Sequence, residues 1–439
     1  MNTGHPASPL KRRASLRNIL LNVAWMLGGK GVGAALSLFY LAIVTRSLGI
    51  EGFGQFTLAL GAGQAVASFV AFQSWQIIVR YGMPHLHAGR ADALARLVRF
   101  TTILDALSAI GGAALVVLGI WLLGGHFGWT TAFRQQAMIT SVALVLAMHW
   151  TPIGILRLHD RFGTATLCDS LTPIVRFIGA LIVWLNGASA IGYLAVWAIA
   201  EVVTAIGFWI AAVRYGEVRW RLDRPLRWRD LKQENPGIAA YTVTTNLSQS
   251  LDLGGKQIAV LLVGLLVTPA AAGAFRFAQQ LAQALAKLSQ LLGRAIFPEL
   301  VRSRSGSAGT EDFDRLFART VRMTAIGGVI VFLILILFGR PVIGLVAGPE
   351  FLTAYPVLLV LGSAAALDFA AVGFEPAVVA LGRPGLALKL RFVSTGLLLA
   401  LMAVLPLWFG GVGAGFAVLA GSALSFAMLW QVMRTRPRG

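Results

Sequence analysis

Six polar residues recur at helical spacing inside one apolar stretch: Arg276, Gln280, Gln283, Lys287, Gln290 and Arg294. At about 100° per residue they fall within about 80° of one another on a helix. Over eighteen residues they run roughly 27 Å. The opposite face is Ala, Leu and Phe. Such a row of cations and amides binds an anion or pairs with carboxylates from other helices. The preceding apolar stretch has a polar face of Thr242, Thr245, Gln249, Asp252 and Lys256, with Asp252 and Lys256 four apart and able to pair. Lys30, Asp105, Asp169, Arg176, Glu201, Asp368 and Glu375 lie in other apolar stretches. An ionisable residue within a membrane span costs about 2.5–3.5 kcal/mol, so each marks a functional position by default. Lys30, Arg176, Lys256, Arg276, Lys287 and Arg294, with Gln249, Gln280, Gln283 and Gln290, are the candidate substrate-binding groups. Asp105, Glu201, Asp252, Asp368 and Glu375 are candidates for ion coupling or for neutralising salt bridges. Asp169 and Arg294 are expected near helix ends, where a long side chain reaches water. The six histidines are scattered, and Cys168 is the single cysteine, which excludes an internal disulfide. Without a metal-ligand cluster or a nucleophile–base pair, no catalytic residue, metal or cofactor is expected.

Carrying such groups requires elements that cross an apolar medium. The chain of 439 residues is 57% hydrophobic and 13% charged, with a mean hydropathy of +0.75. A soluble domain carries roughly 25% charge, and a disordered chain has far less apolar content. A span needs about 20 apolar residues. Twelve segments qualify: 18–45, 54–79, 99–125, 135–156, 168–186, 189–213, 238–265, 270–300, 318–339, 352–381, 386–408 and 411–433. The net charge of +19 follows this pattern. The N-terminal arm, every second loop and the C-terminal tail hold 28 of the 37 basic residues, against ten acids. Basic loops stay in the cytoplasm, so both termini are expected there, and the excess charge implies no nucleic acid. Residues 18–45 are too long for a cleaved signal core and read as an uncleaved anchor. The outer loops leave no room for an extracytoplasmic catalytic domain.

Short motifs repeat in register. Leu27-Gly28-Gly29-Lys30 recurs as Leu253-Gly254-Gly255-Lys256, and Gly54-Gln55-Phe56 as Gly273-Ala274-Phe275. Arg96-x-Val98-Arg99 recurs as Arg319-x-Val321-Arg322, Pro152 as Pro376, and Arg176-Phe177-Ile178 as Arg391-Phe392-Val393. Six spans per half give the halves one orientation and a pseudo-two-fold axis along the membrane normal. The expected fold is all-α: a polytopic membrane protein of about 12 transmembrane helices in two six-helix lobes. Its divisions are a basic arm 1–17, an N-terminal lobe 18–213, a basic linker 214–237, a C-terminal lobe 238–433 and a tail 434–439. Paired lobes place a substrate path between them and suit alternating access.

The run Arg46-Ser47-Leu48-Gly49-Ile50-Glu51-Gly52-Phe53-Gly54 after a glycine-rich first span, Arg80-Tyr81-Gly82, Asp160-Arg161-Phe162 and Gly273-Ala274-Phe275-Arg276-Phe277-Ala278 together resemble the polysaccharide-biosynthesis flippases. These export O-antigen and exopolysaccharide repeat units and share a superfamily with multidrug-and-toxin extruders and lipid II flippases. The resemblance implies two six-helix lobes around a V-shaped lumen, in a bacterial inner membrane. It implies a polyprenyl-pyrophosphate-linked oligosaccharide carried to the outer leaflet for surface polysaccharide or lipopolysaccharide. Expected partners are that lipid, the membrane lipids and the polysaccharide polymerase machinery. A cationic stripe suits a pyrophosphate, whose lost hydration arginine replaces bidentately. A drug or metabolite antiporter of the same superfamily is the alternative, but an exporter of cationic drugs calls for a lumen of carboxylates. A membrane glycosyltransferase or polymerase would need a reaction centre that the sequence lacks.

Overall fold

In the computed structural model the chain is described over residues 9–215, 227–283, 309–374, 377–378 and 384–434. Among these residues there are helices and no strands. The helices are α1 (Pro9–Val70), α2 (Ser74–His87), α3 (Ala91–Leu123), α4 (Thr131–Leu146), α5 (Trp150–Leu158), α6 (Phe162–Leu185) and α7 (Ala190–Tyr215). They continue as α8 (Trp228–Glu234), α9 (Ile238–Leu266), α10 (269–283), α11 (Gly309–Val346), α12 (Tyr355–Ala370) and α13 (Pro384–Arg434), with a short 3-10 turn, Pro349–Ala354, before α12. Helix therefore falls on each of the twelve apolar segments. Eight described stretches are long and apolar enough to cross a membrane. Their outward faces are large apolar side chains: Leu107, Ile110, Leu118 and Trp121 of α3, and Ile326, Ile330, Leu333 and Leu337 of α11, are all exposed. A soluble monomer does not expose patches of that extent; lipid covers them.

The 62 residues of α1, if straight, would reach about 93 Å, three times the roughly 30 Å of hydrocarbon. Gly49 breaks it, at φ 66°, a left-handed conformation that glycine adopts without penalty. The ends on either side of the break are held by groups distant in sequence. Arg46 Nε donates to the Val346 carbonyl (3.2 Å) and Nη2 to that of Leu345 (2.5 Å), capping the last turn of α11. The Glu350 carboxylate accepts from the Ile50 amide (3.3 Å) at the start of the second part of α1. Thus the Arg46–Gly54 run is a turn locked onto the α11–α12 connection. Gly410, at φ 57°, breaks α13 in the same way.

Three predicted spans are discontinuous rather than single helices. The second breaks at 71–73, where Gln73 has φ 44°, the fourth at 147–149, and the tenth at 371–373. The last two breaks lie 224 residues apart, the offset that relates Pro152 to Pro376. Discontinuous helices are found in transporters where a substrate or ion site needs free backbone ends.

The described residues form two compact units. The first takes residues up to 43, 66–118 and 138–247; the second takes 44–65, 119–137 and those from 248 on. The second unit draws on residues of both expected lobes, 18–213 and 238–433. The reason is visible inside the second unit. A Cβ on Gly54 would lie 1.9 Å from the Pro269 carbonyl oxygen, and one on Gly273 would lie 2.8 Å from that of Ile50. Gly54 matches Gly273 and Ile50 matches Pro269 at one offset of 219 residues. Each helix therefore meets the other with the same pair of residues, which is what a local two-fold axis requires.

Candidate functional site

Arg276 stands in the second unit, seven residues into α10, about 10 Å along it. Its guanidinium donates from Nη1 to Gln257 Oε1 (3.1 Å) and Gln279 Oε1 (3.4 Å), and from Nη2 to Gln64 Oε1 (3.1 Å). Three helices supply those amides: the second part of α1, α9 and α10. The tight Gly54–Gly273 crossing brings α1 close enough to α10 for Gln64 to reach. Amide oxygens orient the guanidinium through its N–H donors. The positive charge is fixed in place by these partners. Gln280 and Gln283 follow on α10 and are half-buried. Lys287, Gln290, Arg294 and Glu375 lie outside the described residues. Lys30 lies on α1, and Gln249, Asp252 and Lys256 on α9, where their side chains lie outside the description. Asp368 is exposed on α12. Spacing along α10 missed Gln64, Gln257 and Gln279; the signal for them was only that each is an amide inside an apolar stretch.

The first unit holds two further polar clusters. In one, Arg176 of α6 forms an ion pair with Glu201 of α7, its Cζ 3.2 Å from the centroid of the Trp197 ring. Trp197 Nε1 donates to the Tyr40 hydroxyl (2.7 Å), and the hydroxyls of Thr172 and Thr204 meet at 2.8 Å. The exposed residues nearest the pair include Ile174, Ile178 and Leu181 on α6 and Ile199 and Ile206 on α7; Arg176 and Glu201 lie on the opposite side of their helices. The pair therefore faces the bundle interior, and Arg176, a candidate cation, is neutralised by a candidate acid. Arg176 Nε is buried without a hydrogen-bond partner. Glu201→Gln should destabilise the protein by about 1–3 kcal/mol, less than for a fully buried pair, because it strands a half-buried guanidinium. The double variant Arg176→Gln, Glu201→Gln should recover most of that loss in a detergent melting cycle. Additive losses would mean that the two charges do not act on each other.

In the other cluster the Asp105 carboxylate of α3 is 5% exposed. It accepts from the Ser74 hydroxyl, from the Thr151 amide (3.1 Å) and from the Thr151 hydroxyl (2.7 Å). Ser74 begins α2 and Thr151 is the second residue of α5, so one carboxylate ties the first turns of the helices after two breaks, bonding a backbone amide at α5, where negative charge is favoured, and a hydroxyl at α2. Asp105→Ala should lower stability by about 2–4 kcal/mol, since those donors lose their acceptor, with Asp105→Asn losing less. An Asp105→Ala protein that melts like wild type would show that the cap carries no load.

The sequence profile of the polysaccharide biosynthesis protein family matches residues 19–304. The Inner membrane protein YghQ of Escherichia coli is 27% identical over 360 residues, 78% of this chain and 96% of that protein. The probable low-salt glycan biosynthesis flippase Agl15 of Haloferax volcanii is 29% identical over 169 residues, covering 38% of this chain and 35% of Agl15. Among solved structures, the inward closed conformation of the lipid II flippase MurJ aligns with a TM-score of 0.73 at 11% identity, covering 94% of this chain and 88% of that one. An inward-facing multidrug resistance MATE transporter aligns with a TM-score of 0.68 at 16% identity, covering 92% and 94%.

Proposed function

The chain belongs to the polysaccharide biosynthesis protein family, and on that premise we propose that it is a flippase moving polyprenyl-pyrophosphate-linked oligosaccharide units from the cytoplasmic to the outer leaflet. It is a multi-pass membrane protein with the fold of MurJ and the MATE transporters. The observation that carries the proposal is Arg276, a membrane-embedded cation positioned by three amide oxygens. A pyrophosphate crossing about 30 Å of hydrocarbon needs fixed positive charge in place of water. In the sequence Lys287, Gln290 and Arg294 recur at the same helical spacing as Arg276, and Gln280 and Gln283 offer sugar hydroxyls their amides. The lipid tail stays in the bilayer while the two six-helix lobes alternate access. Both termini face the cytoplasm by the basic-loop pattern, and the outer product feeds surface polysaccharide or lipopolysaccharide assembly, in reach of a polymerase.

The sign of this charge separates the flippase from a drug antiporter of the same fold, whose cationic cargo requires carboxylates. The test is a deletion strain whose lipid-linked sugars are separated by leaflet. The flippase reading expects undecaprenyl-linked oligosaccharide to build up on the cytoplasmic face while sugar synthesis continues. Normal surface polysaccharide without build-up would overturn it.

A further inference from the structure

After the break at 71–73, helix α2 carries Gln76 and Arg80 about 40° apart on one face, with Gln73 just before it. Gln73 Oε1 accepts from Gln76 Nε2 at 3.3 Å. The half-buried Gln76 thus spends its amide nitrogen locally, and its carbonyl has no bond among the described residues. One turn on, Arg80 is exposed, and its Cζ lies 4.2 Å from the centroid of the Tyr241 ring. The rings of Tyr241 and Tyr81 meet edge-on at 5.8 Å. Among the described residues Arg80 has no carboxylate partner. A guanidinium resting on a ring keeps its planar donors available for a phosphate.

The linker sets this geometry. His85 Nε2 and Asn235 Oδ1 are 2.9 Å apart, and Arg96 pairs with Glu234, so α8 is tied to α2 and α3. Gly237, at φ 79°, then turns the chain into α9, which presents Tyr241 one turn later.

We propose that Arg80 and Gln76, backed by Tyr241, form an entry site that takes the headgroup of the lipid-linked substrate: the guanidinium binds a pyrophosphate oxygen and the Gln76 carbonyl accepts a sugar hydroxyl. The two side chains are one helical turn apart, about 5–6 Å along the axis, comparable to the separation of a phosphate from the adjoining sugar ring. This site rests on the flippase reading and adds a place of first contact to it.

The test is binding of undecaprenyl pyrophosphate, bare or carrying N-acetylglucosamine, to the full chain in nanodiscs. Arg80→Ala should weaken both probes roughly tenfold, the loss of one charge-assisted contact, at an unchanged melting temperature, with Arg80→Lys in between. Gln76→Ala should weaken only the sugar-bearing probe. Wild-type affinity in Arg80→Ala would overturn the site, and so would equal displacement by phosphatidylglycerol, which would make Arg80 a contact for ordinary lipid headgroups. A loss with Gln76→Ala that is the same for both probes would overturn the sugar contact. Failure of the wild type to bind either probe would count against the flippase reading itself.

Discussion

Gln257→Glu should stop export as completely as Arg276→Ala does, although it changes the side chain by a single atom and removes no cation. The two variants reach one endpoint by different routes. Arg276→Ala removes the charge; the loss of a buried, hydrogen-bonded charge contact of this kind is about 2–5 kcal/mol, roughly 30-fold or more in rate or affinity. Gln257→Glu places a carboxylate where the amide oxygen now lies 3.1 Å from Nη1. That carboxylate then competes with an anionic substrate for the guanidinium. Gln64→Ala and Gln279→Ala should cost only several-fold each, since either leaves two of the three amide contacts in place. Surface polysaccharide at matched protein level is the measurement, with Arg276→Ala, Lys287→Ala as the extreme case. Normal export from Gln257→Glu would sink the idea that this cation binds an anionic substrate, because a carboxylate fixed beside Nη1 would compete with that substrate.

The second large effect is expected at Gly54. A Cβ there would lie 1.9 Å from the Pro269 carbonyl oxygen and 2.4 Å from its carbon. Both atoms belong to backbone, so no side-chain rotation relieves the overlap, and the helices must separate. Gly54→Ala should destabilise the protein by about 3 kcal/mol, the upper part of the range for overpacking, and Gly54→Val by more. Gly273→Ala meets backbone at 2.8–3.0 Å and should be milder. Gly119→Ala is the control: a Cβ there meets nothing within 4 Å, and alanine favours the helix, so that variant should melt at or above the wild type. Melting temperatures in detergent give the comparison. A Gly54→Ala protein as stable as the Gly119→Ala control would mean that α1 and α10 do not cross at these glycines. Separation of the helices would also carry Gln64 away from Arg276, so export should fall even where the protein folds.

How much of this was legible in the sequence differs from feature to feature. Apolar runs placed the helices, because crossing hydrocarbon demands about 20 apolar residues with every backbone group bonded within the helix. The break at Gly49 was signalled by glycine itself. Those at 71–73 and 147–149 were not, since Ala71-Phe72-Gln73 and Ala147-Met148-His149 contain neither glycine nor proline. Asp105, from another helix, bonds the first turns of the helices that begin just beyond them. The repeat did mark Gly54 and Gly273 as equivalent, but not as facing each other.

The charged groups divide in the same way. Hydropathy alone identified Arg176, Glu201, Asp105 and Arg276 as ionisable residues in apolar surroundings. Their fates diverged only in three dimensions: Arg176 is matched by Glu201, Asp105 is spent on two helix ends, and Arg276 is held by amides. The sequence by itself determined the membrane class, the helical segments and the internal repeat, because these follow from local composition and from the cost of an unbonded backbone in lipid. The tertiary structure decided which helices are interrupted and which charges are neutralised. Both depend on groups brought together from helices far apart in the chain, and no periodicity along one helix records them.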